Sequence, residues 1–146
     1  MEIMKLDIDV IEYDASRTET GFSTGGEIFV TVGQVYFPSE HWYDMVFFDL
    51  KLWVPSVLSF MSGHTDSCVL RFMDGPYSVK MIRRDGEVFA SCWHDNQQTV
   101  HSVLIDPYVL IKSVIKTLRK YDYFLYEHGH EPLFQEEINK LKDIPQ

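Results

Sequence analysis

Apolar and polar residues alternate from Ile3 to Tyr13, with Met4, Leu6, Ile8 and Val10 on one face and Lys5, Asp7 and Asp9 on the other. A two-residue period is that of a half-buried strand, here with an acidic outer face. The polar stretch from Asp14 to Gly26, with Gly21, Gly25 and Gly26, reads as a loop. Glu27 to Phe37 is rich in Val, Ile, Phe and Thr and predicts a second strand, in which Gly33 marks a bulge or a close approach. Pro38 to Asp44 follows as a turn carrying Trp42 and Tyr43. From Met45 to Leu52 the residues Phe48, Leu50 and Leu52 alternate with Asp49 and Lys51, which predicts a third strand. Pro55 suits a first helical turn, so a short helix is placed from about Trp53 to Met61. A single helix from Asp44 onward is the rival reading, because Val46, Phe47, Leu50, Val54, Val57 and Leu58 also keep a helical spacing.

The second half is more regular. Cys68 to Met73, Tyr77 to Arg84, Glu87 to His94 and Thr99 to Ile105 read as four short strands separated by Asp-Gly-Pro, Asp-Gly and Asp-Asn-Gln-Gln turns. Arg84-Asp85-Gly86-Glu87 between two alternating segments is the strongest hairpin signal in the chain. Asp106-Pro107 is an N-cap followed by proline at the first helical position. The helix after it buries Leu110, Ile111, Val114, Ile115 and Leu118, turns Lys112, Lys116, Arg119 and Lys120 outward, and runs to about Leu125 before Gly129. Pro132 opens a last short helix with Leu133, Phe134, Ile138 and Leu141 as its apolar stripe.

Strands followed by helices, without a linker or a repeat, predict a single α+β domain over residues 1–146. The expected architecture is an antiparallel meander of six to seven strands, with one long and one or two short helices packed on one face.

Charge adds a direction. The net charge is −9, and it is unevenly placed: residues 1–66 carry 11 acids against 3 bases, whereas residues 67–146 carry 11 against 10. A negative field repels nucleic acid and favours basic partners. The longest apolar region, Met45 to Met61, is broken by Asp49, Lys51 and Pro55, so no membrane span is expected. The opening residues alternate acids with apolar side chains, unlike a secretory leader, which predicts a cytoplasmic location and reduced thiols at Cys68 and Cys92.

Candidate chemistry is sparse. Cys92 and His94, two apart on one strand, could be met by His101 across the following turn, with Cys68 as a fourth zinc ligand. The spacing matches no zinc-finger pattern, and no metal or other cofactor is assigned. His128, His130 and Glu131 form a second metal-like group at a helix end, where a solvated terminus is the simpler reading. Neither a glycine-rich nucleophile elbow nor a phosphate loop accompanies any nucleophile, so no catalytic residue is assigned. Lys112, Lys116 and Lys120 make a basic stripe, read as a solvated helix face. If Cys92 faces the core, Trp93 lies on the opposite sheet face with Phe89.

Trp42-Tyr43-Asp44, followed by Phe72-Met73-Asp74-Gly75-Pro76-Tyr77, resembles a group of small bacterial proteins of uncharacterised function. In that group a Trp-x-Asp precedes an apolar segment, and an Asp-Gly-Pro-Tyr turn joins two strands. The overall profile is similar to the immunity proteins of bacterial polymorphic toxin systems, which are small, acidic and cytoplasmic and block a toxin by covering it. The expectation is therefore a protein-binding protein that occludes a basic toxin, such as a nuclease. Its contact residues are placed at Asp7, Asp9, Glu12, Asp14, Glu19, Glu40 and Trp42. A metal-binding domain using Cys92, His94 and His101 is the alternative, and a homodimer built on an exposed edge strand is a third option.

Overall fold

The computed structural model describes residues 2–13, 17–18, 21–22 and 25–145, with side chains placed for residues 2–10 and 25–145. The chain runs β1 (Leu6–Tyr13), β2 (Arg17–Thr18), β3 (Gly21–Phe22), β4 (Gly25–Val32), β5 (Val35–Phe37), β6 (Tyr43–Met45) and α1 (Val46–Met61). It continues through β7 (Ser67–Arg71), β8 (Tyr77–Arg84), β9 (Glu87–His94), β10 (Gln97–Ile105), α2 (Pro107–Glu127) and α3 (Gln135–Lys142).

The fold is α+β and antiparallel, but the described strands divide into two four-stranded sheets and a two-stranded β2–β3 ribbon where one meander was expected. In the first, β4 pairs with β1 along one side; along the other it pairs with β5 through Val30–Val32 and with β6 through Gly25–Glu27. The second sheet has the order β10-β9-β8-β7. A parallel bridge between Met4 and Ile105 ties the two at one corner.

The hairpin signals placed the second sheet well. Asp85 and Gly86 both take positive φ (53° and 79°) between β8 and β9, as a tight hairpin requires. The expected second strand is a correction: it is two strands, because Gly33 is a turn residue (φ 63°) closing the β4–β5 hairpin, while the expected close approach there is present, since a Cβ would meet Met4 Sδ at 2.7 Å.

Residues 45–52 are a second correction. Helix α1 begins at Val46, which is the rival reading. Val46, Leu50, Trp53, Val54, Val57 and Phe60 are buried on one side of it, a helical repeat. Phe48 and Leu52, whose alternation suggested a strand, are exposed at 46% and 56%. Pro55 lies inside the helix and does not start it. Burial of six large side chains, each worth roughly 1.5–3 kcal/mol, outweighs the roughly 3 kcal/mol that an interior proline costs.

Helix α2 starts as expected, with the Asp106 carboxylate accepting from Tyr108 N. It lies along the outer edge of β1, where the strand has no strand neighbour beyond the Met4 bridge. Ser113 Oγ accepts from Ile8 N and donates to Ile8 O, Thr117 Oγ1 donates to Ile8 O, and Lys120 Nζ donates to Val10 O. The helix thereby satisfies backbone groups of an edge that would otherwise invite strand addition. Asp122, buried on α2, accepts from Leu133 N, Phe134 N and Gln135 Nε2 and so fixes the start of α3. One contiguous core takes side chains from both sheets and all three helices. Among the described residues, no helix is long and apolar enough to cross a membrane.

Candidate functional site

The two sequence motifs meet where β6 turns into α1. Asp44, only 2% exposed, accepts from Trp42 Nε1 at 2.9 Å, Met45 N at 2.6 Å and Asp74 N at 3.2 Å. Asp49, one turn into α1 and fully buried, accepts from Met73 N at 3.0 Å through Oδ1. Two carboxyls thus bind strand β6, helix α1 and the 72–76 turn into one corner. Aromatic rings brace it: Trp42 against Tyr77 at 5.1 Å, Trp53 against Phe72 at 5.0 Å, and Phe37 against both Phe72 and Tyr77. The Trp-x-Asp and Phe-Met-Asp-Gly-Pro-Tyr segments are therefore two halves of one piece of structure.

The carboxyls differ in surroundings. Burial pushes Asp49 up to about 9, the nearby charge of Asp44 adds to the rise, and the Met73 amide opposes it. Its Oδ2 is buried with no hydrogen-bond partner of normal geometry among the described residues. A neutral acid fits that position, since an ionised carboxylate without a partner is costly to bury. Asp44 accepts from three N–H donors where Asp49 accepts from one.

Above this pair the surface is apolar. Tyr43, Met45, Phe48, Leu52 and Met73 are 45–56% exposed. Met45, Phe48 and Leu52 follow one another at helical spacing, and Tyr43, Asp44, Met45, Met73 and Asp74 line a pocket of about 300 Å³. Tyr43 lies across Gly25, where an added Cβ would meet the phenol oxygen at 2.1 Å and the ring would have to shift. A wider groove of about 660 Å³ lies between α1 and the C-terminal end of α3, lined from α1 by Pro55, Leu58 and Met61 and away from every residue expected to bind a partner or a metal.

Four of the seven residues expected to bind a partner have described side chains. Asp7 has 16% of its side chain exposed and pairs with Lys5 at 3.0 Å. Burial pushes its carboxyl up, but Ser113, Lys5 and Lys116 outweigh this and hold it below the ordinary range. Asp9 is half-buried and accepts from Thr31 Oγ1 at 3.0 Å. Glu40 is exposed, 3.6 Å from His41. Trp42 is half-buried, its indole turned to Asp44. Glu12, Asp14 and Glu19 lie outside the residues whose side chains are described.

The expected metal group is not assembled. Cys92 is fully buried and its thiol is pushed up to about 12 by burial, whereas His94 and His101 are exposed. His94 stacks on Tyr77 at 4.7 Å, and His101 contacts Gln98. Among the described residues, no three His, Cys, Asp or Glu side chains are grouped as metal ligands would be. Cys92 does face the core, and Trp93 is half-buried opposite, with Lys80 Nζ 4.2 Å over its ring.

Asp49 and the Met45–Phe48–Leu52 face were absent from the expected site. A lone acid inside the apolar run Met45 to Met61 was the available signal, since an unpaired charge is seldom placed in such a run without a partner. Comparison with protein-family models, with curated proteins and with solved structures found no match to this chain.

Proposed function

We propose that this chain is a protein-binding protein that acts by covering its partner, and that the partner is basic. In its sharper form the proposal is a bacterial, cytoplasmic immunity protein occluding a toxin such as a nuclease. The observation that carries the reading is the apolar surface of Tyr43, Met45, Phe48, Leu52 and Met73, half-exposed on a chain of net charge −9. Clustered exposed apolar side chains of this size mark interaction surfaces, and aromatic and methionine residues are the types enriched in their centres. The corner beneath is rigidly braced, so the surface is pre-organised and little ordering cost is added on docking. The acidic excess supplies faster encounter with a basic partner and rejection of acidic ones.

The experiment is affinity capture from a bacterial lysate on the immobilised chain, run beside the Phe48→Glu variant, followed by assay of the captured protein's activity. The expected result is a basic protein retained by the native chain, released by Phe48→Glu and inhibited in solution by the native chain. Equal retention by the variant, or recovery of no basic protein, overturns the proposal.

A further inference from the structure

The pocket at the edge of this surface names the contact that a basic partner makes, an inference that rests on the protein-binding reading above. We infer that the space between β6 and the 72–76 turn receives a single arginine side chain from the partner. It is lined by Tyr43, Met45 and Met73, with Asp44 and Asp74 as its acidic residues. At about 300 Å³ it is at the lower end of ligand-pocket sizes, room for one long side chain rather than a folded segment.

The charge argument is the decisive one. No lysine or arginine lines the pocket, and neither Asp44 nor Asp74 forms an ion pair with a cation among the described residues. Asp44 receives three donors, all from its own chain, and a carboxylate offers about four acceptor positions. Asp74 is exposed, and only its backbone N–H is engaged, with Asp44. A partner that covers Tyr43, Met45 and Met73 also takes the exposed Asp74 carboxylate out of water, beside the already buried Asp44. Burying Asp74 without a counter-charge costs several kcal/mol, enough to cancel the gain from the apolar contact. The partner must therefore bring a cation to this point. Arginine fits better than lysine, because its planar group stacks on an aromatic ring while its N–H fork meets carboxylate oxygens. The methionine chains suit its aliphatic stem.

The test is an amide-resolved NMR titration of the full chain with N-acetyl-arginine amide, set against N-acetyl-citrulline amide, which has the same shape without the charge. Expected are saturable shifts at the amides of residues 43–45 and 73–74. Affinity should fall about five-fold or more with the citrulline compound and by a similar factor in Asp74→Asn. Because Asp74 is exposed, that variant folds as the native chain does. Shifts spread over the whole acidic surface, equal response to citrulline, or an unchanged Asp74→Asn variant would each overturn the pocket's role. The capture experiment separates the two levels. A partner lost by Phe48→Glu but held undiminished by Asp74→Asn removes the arginine contact and leaves the protein-binding reading standing. A partner lost by neither removes the reading itself.

Discussion

Two pairs of aspartates in this chain invite comparison. Asp7 and Asp9 alternate on β1, and Asp44 and Asp49 flank the start of α1. The first pair is served piecemeal: Asp7 by Lys5, Ser113 and Lys116, and Asp9 by Thr31. Asp7 is held below the ordinary carboxylate range because two cations and a hydroxyl stand within reach and outweigh its burial. The second pair is buried together, and its donors come from backbone amides and an indole rather than from cations. With only that compensation, one member is driven to stay protonated. The same residue type is thus a salt-bridged surface group in one place and a neutral structural pin in the other. What separates them is which side chains other elements bring up, and how completely water is removed.

The sharpest way to break this comparison is Asp44→Ala. It strands Trp42 Nε1, Met45 N and Asp74 N at once, and we expect a loss of about 3 kcal/mol in urea unfolding. A loss no larger than that of an ordinary surface substitution would mean the corner is not held by this carboxylate.

On the β1 side the comparable deletion is Ser113→Ala, which leaves Ile8 N without its acceptor. The expected cost is about 2 kcal/mol, with faster hydrogen exchange at Ile8 as the local readout. Unchanged exchange would show that α2 does not seal the edge.

Asp49→Asn sharpens the contrast by removing a titration and little else, since the amide can still accept from Met73 N. The folded-state value of Asp49 is raised, so the unfolded chain releases its proton first as pH increases. Stability therefore declines as pH rises from about pH 4 towards about pH 9. Melting temperatures measured from about pH 5 to about pH 8 should fall for the native chain and lie flatter for the variant. Parallel curves would mean that Asp49 is ionised in the folded protein.

The smallest effect is expected at Asp7, with the opposite sign. Its folded-state value is depressed, so its contribution is present at neutral pH and is lost as pH falls through the acidic range. Asp7→Asn should cost about 1 kcal/mol or less at neutral pH and nothing in strong acid, read by denaturant unfolding at both conditions.

Much of the fold was legible because its signals are local. The Asp85-Gly86 hairpin and the Asp106-Pro107 start of α2 were placed from a few adjacent residues whose conformational preferences suffice. Residues 45–52 were misread because strand and helix periods both fitted, and only the packing of Leu50 and Trp53 inward, with Phe48 and Leu52 outward, chose between them. The expected site suffered from a related ambiguity. Alternation on β1 put Asp7 and Asp9 on the polar face, but it could not reveal that α2, more than a hundred residues later in the chain, would bring Ser113 against that strand.

What the sequence determined by itself was the set of elements with strong short-range codes, the α+β antiparallel class and the acidic excess of the first half. Tertiary structure alone decided that the main strands form two four-stranded sheets, that α2 packs along β1, and that burial raises Asp49 beneath its neighbours. The physical reason is range. Turn and cap preferences act over a few bonds, whereas desolvation and the pairing of charges depend on which distant segments exclude water from the same point.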